Sequence, residues 1–328
     1  MSFCNKTIFV AGANGMVGRA VTAELMAEDY ENIVGPSSRD LDLRDQLAVD
    51  EFFKKVRPEV VIVAAARVGG IVANDTYRAE FIYDNLSIET NLIHAAHRHG
   101  VEKLVFLGSS CIYPKLCPQP IREEYLLTGP LEETNEPYAI AKIAGIKLCE
   151  NYFRQYGSNF VSAMPTNLYG PYDNFDPTTS HVIPALIRKF YEATTSRSSK
   201  VTLWGTGSPR REFLYVADLA KAIVFLLENV NAADLQPLGV YHLNIGTGAD
   251  LTIAELAEMI AGITGYDGEI AFDPSRPDGT PRKLLDTSRT EKLGWKYSTS
   301  LWAGLIKTFD WYIANNSFAT PISVADHA

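Results

Sequence analysis

Residues 6–28 read KTIFVAGANGMVGRAVTAELMAE, and this stretch decides the fold class. Lys6 to Ala11 is a β-branched and aromatic run that meets a glycine at once. Val17 to Glu28 then carries Val17, Ala20, Val21, Leu25 and Met26 on one helical side. Gly12, Gly15 and Gly18 therefore sit between a strand and a helix. Glycine there lets the backbone turn tightly and approach a pyrophosphate, and the helix N-terminus offers free N–H groups and the positive end of its dipole. A tight turn without a ligand is the plainer reading, and the alternation of strands and helices downstream of Glu28 weakens it.

That alternation is regular. Asn32 to Gly35 reads as a short strand, Gln46 to Lys55 as a helix, and Val60 to Ala66 as a strand buried on both faces. Asp84 to His99 reads as a helix, Lys103 to Gly108 as a strand, Pro137 to Tyr156 as a long helix stopped by Gly157, and Phe160 to Ala163 as a strand. This is the pattern of βαβ crossovers, so the expected fold is α/β, a Rossmann-like doubly wound parallel sheet. After Pro165 a loop-rich stretch runs from Thr166 to Ser180. Helices at Val182 to Thr194, Val216 to Glu228, Ile253 to Ile263 and Ser300 to Asn315 come next, with a strand at Val201 to Trp204. We expect residues 1–165 to form the cofactor-binding domain, with the chain returning to it near 213–245. Residues 166–212 and 246–315 form a smaller α+β substrate domain, and 316–328 read as a frayed tail.

Composition agrees. The 328 residues are 46% hydrophobic and 21% charged, enough apolar material for a core and too much for a disordered chain. Thirty Lys+Arg against 39 Asp+Glu give a net charge of −9, which argues against a nucleic-acid partner. Cys4, Cys111, Cys117 and Cys149 form no CxxC pair or metal-ligand spacing, so neither a metal site nor a disulfide framework is expected. The longest apolar run is far short of the ~20 residues a membrane span needs. Met1 to Lys6 carry neither a basic region nor a small-residue cleavage site, so a secretory signal is not expected. The expectation is a cytoplasmic protein with no membrane partner.

Three features point to chemistry. At the second strand's end, Pro36-Ser37-Ser38-Arg39-Asp40 places an arginine where a 2′-phosphate would be read, favouring NADP(H); Arg39 could instead pair with Asp40 or Asp42. Tyr138 and Lys142 are one helical turn apart, so an ammonium can help a phenol act as an acid–base group. Ser109 and Ser110 end a parallel strand, where ligands sit in such sheets.

Together, GxxGxxG, Ser109-Ser110 and Tyr138-x-x-x-Lys142 resemble the extended short-chain dehydrogenase/reductase family. GSSCIYPK from Gly108, NEPYAIAKIAGIKLCE from Asn135 and MPTNLYGPYDNF from Met164 are similar to its branch acting on GDP-4-keto-6-deoxy-D-mannose. SHVIPALIRKF from Ser180, WGTGSPRREFL from Trp204 and PDGTPRKLLD from Pro277 continue that likeness to about Asp286. The resemblance implies epimerisation at C3 and C5, then NADPH-dependent reduction at C4. Ser109, Tyr138 and Lys142 would be the reductase triad, and Cys111 and His181 the proton-moving pair. It implies cofactor contacts from Gly12, Asn14, Gly15, Met16, Val17, Gly18, Leu107, Gly108, Lys142 and His181, and from Pro165, Asn167 and Leu168. It implies GDP-sugar contacts from Ser110, Asn167, Lys189, Trp204, Arg211, Asp278 and Lys283.

Asn14 stands where some members carry arginine, which leaves more of the 2′-phosphate to Arg39. Cys and His suit the epimerisation because both can titrate near neutrality after modest shifts. Trp204 could be core or could flank the base, and Arg211 could pair with Glu212 instead of a diphosphate. The family also implies a homodimer through Asp84–His99 and Pro137–Tyr156, with Ala141, Ala144, Gly145 and Leu148 as a close-packing stripe. The rival activities are a nucleotide-sugar 4-epimerase or 4,6-dehydratase that retains its cofactor, and a non-catalytic NADP(H) sensor.

Overall fold

The computed structural model describes residues 3–177, 179–276 and 278–315. Among them the first half runs β1 (Ile8–Ala11), α1 (Met16–Ala27), β2 (Ile33–Val34), α2 (Gln46–Val56), β3 (Val60–Val63), α3 (Ile71–Thr76), α4 (Arg78–Arg98), β4 (Lys103–Leu107), α5 (Glu136–Tyr156) and β5 (Phe160–Pro165). The second half runs β6 (Asn167–Tyr169), α6 (Val182–Thr195), β7 (Lys200–Trp204), β8 (Arg210–Arg211), β9 (Phe213–Tyr215), α7 (Val216–Asn229), α8 (Ala232–Leu235), β10 (His242–Ile245), β11 (Leu251–Thr252), α9 (Ile253–Thr264), β12 (Glu269–Asp273), β13 (Arg282–Lys283), α10 (Ser288–Leu293) and α11 (Leu301–Asn315).

Six parallel strands form the main sheet in the order β10-β5-β4-β3-β1-β2. The strand order reverses direction at β1/β3, which opens a crevice beyond the carboxyl ends of those strands. Every residue of β1, β3, β4 and β5 is buried, as a sheet covered on both faces requires. One face packs on α1 and α7 through Val21, Leu25, Leu219 and Ile223. The other packs on α2, α4 and α5 through Phe53, Leu92, Ile93 and Ile146. A separate apolar cluster gathers α6, α9 and α11 around Phe190, Leu256 and Leu305. Outside the main sheet lie two two-stranded sheets, β6-β9 and β7-β12, and one three-stranded sheet, β11-β8-β13.

Local signals explain most boundaries. Asp45 caps α2 by accepting from the Leu47 and Ala48 amides, at 2.9 and 3.1 Å. Pro137 opens α5, and Gly157 closes it in the left-handed region at φ 74°. Thr252 and Glu255 form a reciprocal capping box on α9. Three readings need correction. Helix α4 starts six residues before Asp84, because Phe81 is already part of its buried stripe. Helix α3 was not expected. Strand β6 lies inside the stretch read as loop, pairing with β9 rather than the main sheet.

The close-packing stripe on α5 also needs correction. Ala141 is fully buried, and a Cβ at Gly145 would come within 2.3 Å of the Phe106 ring and 2.9 Å of Glu89. These positions face the chain's own sheet and α4. Among the large apolar side chains of α4 and α5, Tyr83, Ile140 and Tyr156 are exposed. The expected tail at 316–328 lies outside the described residues.

Candidate active site

The glycine loop follows β1, and its glycines have different reasons. Gly12 sits at φ +85°, and a Cβ there would come 2.7 Å from the Ala65 amide nitrogen. A Cβ at Gly18 would stand 2.1 Å from the Gly12 carbonyl oxygen, so this glycine lets α1 close on the turn. Gly15 has neither constraint; its nearest neighbour would be 3.5 Å away. Gly15 is the N-cap of α1, with no side-chain cap and no acid in the first turn. Met16 and Val17 follow with their amides directed out of the helix end. This is a cradle that a Cβ would fill and that an anion fits. Asn14 is on the exposed rim, and its carbonyl accepts a 2.9 Å bond from Arg19 Nε.

At the end of β2, Asp40 accepts from the Ser37 hydroxyl and amide, while Asp42 pairs with Arg44 at 2.8 Å. Both acids that could have neutralised Arg39 are thus engaged. Arg39 is exposed with no ion-pair partner among the described residues, as a 2′-phosphate reader needs. The residues present therefore fit NADP(H).

Strand β4 delivers Leu107 and Gly108 to the same crevice, then turns sharply. Ser109 Oγ accepts from the Cys111 amide at 3.4 Å, the start of a tight turn that buries Ser110 and Cys111. Tyr138 and Lys142 come from the first two turns of α5. Lys142 Nζ lies 5.7 Å from the Tyr138 ring centre and 4.9 Å from that of Phe106. Burial pushes the Tyr138 phenol well above its usual range, and the charges of Cys111 and Glu89 act in the same direction. Burial likewise pushes the Cys111 thiol up, against the opposing influence of Lys283 and the Ser109 bond. The Cys111 expectation is corrected here: without ligand it is a protonated thiol, not a group poised near neutrality.

The opposite wall comes from the later elements. His181 is the N-cap of α6; the protein crowded around the cleft and the charge of Lys283 push its imidazole below the usual value. Pro165 ends β5, and Asn167 and Leu168 follow it in β6, where Asn167 donates to the Glu212 carbonyl at 2.8 Å. Strands β8 and β13 lie parallel, with Arg210 opposite Arg282 and Arg211 opposite Lys283. Strand alternation sorts these cations. Arg210 and Arg282 both reach Asp250, at 3.0 and 2.5 Å. Arg211 and Lys283 turn inward, where burial pushes both below their usual values and Lys283 faces Cys111.

Glu212 is no partner of Arg211. It is fully buried and accepts from the amides of Thr247, Gly248 and Leu285, which ties β8 to the loops beside it. Asp278 accepts from the Thr206 amide and hydroxyl at 2.9 and 2.7 Å and lies near Arg211. Trp204 is 65% exposed, which excludes the core reading, and Arg276 stacks on its ring at 5.0 Å. Lys189 is exposed on α6, with its ammonium on the Thr202 carbonyl beside β7.

Sequence reasoning missed Glu89, Glu212 and Asp250. Glu89 had a signal: Phe81, Asn85, Glu89, Ile93 and Ala96 fall at helical spacing on one buried stripe.

A crevice at the β1/β3 switch point, a glycine cradle and a Ser-Tyr-Lys set define a nucleotide-dependent epimerase, dehydratase or reductase. The chain belongs to the NAD dependent epimerase/dehydratase family, whose model matches residues 8–246. It is 55% identical over 311 residues to GDP-L-fucose synthase of Escherichia coli (strain K12), covering 94% of this chain and 97% of that one. It is 53% identical over 315 residues to GDP-L-fucose synthase 1 of Arabidopsis thaliana, covering 96% and 95%. The crystal structure of a GDP-L-fucose synthetase from Naegleria fowleri bound to NADP superposes with a TM-score of 0.85 at 29% identity, covering 94% of each chain.

Proposed function

We infer that this protein converts GDP-4-keto-6-deoxy-D-mannose to GDP-L-fucose, by epimerisation at C3 and C5 and NADPH-dependent reduction at C4. The observation that carries this reading is the position of Cys111. The thiol is near enough to Tyr138 on one side and to Lys283 on the other for its ionisation to be felt by both, which suits a proton-transfer group between the reductase pair and the cationic wall. A 4-epimerase or 4,6-dehydratase has no need of Cys111 and His181 in that place. A non-catalytic sensor has no need of the triad.

The hydrogens on C3 and C5 of a 4-keto sugar are α to the carbonyl and leave through an enolate. Cys111 and His181 move those protons, work worth ~10²–10⁴-fold for positioned acid–base groups. Ser109 and Tyr138 donate hydrogen bonds to O4, which carries the enolate charge and later the proton of the reduced product. When bound, NADPH supplies a hydride to C4. Tyr138 gives its proton to O4. Arg211 and Lys283 hold the diphosphate, Arg39 the cofactor's 2′-phosphate, and Trp204 offers an exposed ring to the base.

This assigns the main sheet with its later strand β10 to the cofactor and the α6/α9/α11 cluster to the GDP-sugar. The exposed Tyr83 and Ile140 support a homodimer through α4 and α5; a single 36 kDa species in light scattering would remove it. We place the reaction in the cytoplasm, in keeping with the free thiols of Cys111, Cys117 and Cys149. Among the described residues no helix is long and apolar enough to cross a membrane. The test is incubation with GDP-4-keto-6-deoxy-D-mannose and NADPH, following absorbance at the nicotinamide band and the product sugar. Stoichiometric oxidation giving GDP-L-fucose is expected. No oxidation, or turnover with the cofactor recycled, would overturn the reading.

A further inference from the structure

Lys142 does not stand alone beside Tyr138. Its ammonium lies 2.8 Å from Oε1 of Glu89 on α4, and both side chains are almost wholly buried, at 2% and 1% exposure. Beyond the lysine, neither Glu89 oxygen has a partner among the described residues; burial pushes the carboxyl up, and the Lys142 ammonium is what opposes this and favours the charged pair. The surroundings hold the pair in place. Gly145 leaves room for the carboxylate, since a Cβ there would come 2.9 Å from Oε2, and the Phe106 ring lies against the ammonium. A buried carboxylate is too costly to be retained by packing alone; an apolar side chain of the same volume would serve a purely structural purpose as well or better.

The consequence falls on Tyr138. A lone ammonium near a phenol stabilises the phenolate and favours a base, as oxidation of an alcohol requires. A lysine already neutralised by a carboxylate gives little of that help. Reduction of a ketone needs the opposite starting state, a phenol that still holds its proton. We propose that Glu89 is a positioning residue for this step: it pins Lys142 and cancels its charge, so that Tyr138 meets the ketone as a neutral proton donor. The inference rests on the C4 reduction assigned above. The ionisable groups facing Tyr138 are Lys142 from its own helix, Glu89 from α4 and Cys111 from the turn after β4. Lys283 from β13 acts on Cys111 behind it. Burial is the main influence that keeps the phenol neutral, and Glu89 acts in the same direction.

The experiment is the pH profile of C4 reduction in wild type and in Glu89→Gln, a near-isosteric change that removes the charge and keeps the shape. The basic limb of kcat is expected to fall by about one pH unit or more, as uncompensated Lys142 lowers the phenol, with KM for the GDP-sugar little changed. An unmoved basic limb with uniformly lower kcat would overturn the proposal and leave Glu89 as a packing residue. A second measurement needs no turnover: difference absorbance of phenolate, each protein read against its own Tyr138→Phe form, titrated without substrate in wild type and in Glu89→Gln. The Glu89→Gln phenol is expected to ionise about one pH unit or more below that of wild type, and coincident titrations would overturn the proposal. Because the titration needs no turnover, it still tests Glu89 if wild type fails to reduce the keto sugar, an outcome that would count against the functional reading alone.

Discussion

Arg210 and Arg211 are adjacent and chemically identical, yet the structure gives them opposite tasks, and replacing each with alanine tests the site's cationic wall. Arg210 lies 3.0 Å from Asp250, which Arg282 also reaches, and its side chain is 39% exposed. Removing it leaves Asp250, whose side chain is 5% exposed, paired through Arg282 alone, so the loss is that of a partly buried charge-assisted hydrogen bond, about 1.5–3 kcal/mol of stability. Affinity for a GDP-sugar should change by less than about fivefold, which corresponds to roughly 1 kcal/mol. Arg211 faces inward, close to Asp278 and to the space between Lys283 and the cofactor crevice. A hydrogen bond to a charged group contributes about 1.5–3 kcal/mol, which is roughly a 10- to 150-fold weaker Kd for Arg211→Ala. Calorimetric titration with GDP reads the binding directly, and thermal unfolding reads the stability cost separately. NADPH binding should be unaffected in both variants. Equal losses of GDP affinity, or a larger loss in Arg210→Ala, would refute the alternation argument and move the diphosphate elsewhere.

Arg39→Ala should lower the preference for NADPH over NADH at least tenfold, because Asp40 and Asp42 are occupied elsewhere and only the phosphate loses a partner; kcat/KM for the two cofactors measures it. Cys111→Ser should exchange solvent deuterium into C3 or C5 about 10²-fold more slowly while still binding NADPH, and exchange at the wild-type rate would make Cys111 a packing residue. Lys103 is buried at the base of β4, with its ammonium on the Val230 carbonyl and its pKa lowered to about 8. The unfolded chain holds that proton more tightly, so the penalty is full below about pH 8 and fades as pH approaches the ordinary lysine value of about 10.4. Lys103→Met should therefore raise Tm at pH 7, with a smaller gain or none near pH 10. A gain that does not depend on pH would point to packing instead.

Signals confined to a few neighbouring residues were the legible ones. The glycine loop, the Tyr138-Lys142 spacing and the stop at Gly157 depend on backbone geometry and helical pitch within one element. Strands buried on both faces, such as Val60–Val63, announce themselves by composition. The resemblance named the later site residues but could not orient them. Arg210 and Arg211 look alike in sequence, and what separates them is Asp250, 40 positions away from Arg210. Strand β8 is two residues long, too short for an alternating pattern to be seen. Expectations for Ala141 and Gly145 failed for a related reason: small residues at helical spacing describe a close approach without naming the partner. Here the partner is Phe106 and Glu89 of the same chain.

The same distinction bears on the chemistry. Sequence motifs record the groups that touch substrate, because spacing and strand ends constrain them. The groups that set protonation act from other elements. Cys111 and His181 were expected to titrate near neutrality by residue type, whereas the site raises the thiol and lowers the imidazole. Without ligand both are uncharged, and so is the buried Lys142–Glu89 pair taken as a unit. Arg211 and Lys283 lie side by side on β8 and β13, Arg211 near Asp278 and Lys283 near Cys111. On the proposed reading, a dianionic diphosphate is drawn to the wall that also faces Cys111, while the catalytic end stays electrically quiet until the ketone arrives. That division lets a single carbonyl be enolised and then reduced without releasing the sugar, since neither step asks Tyr138 to begin as an anion.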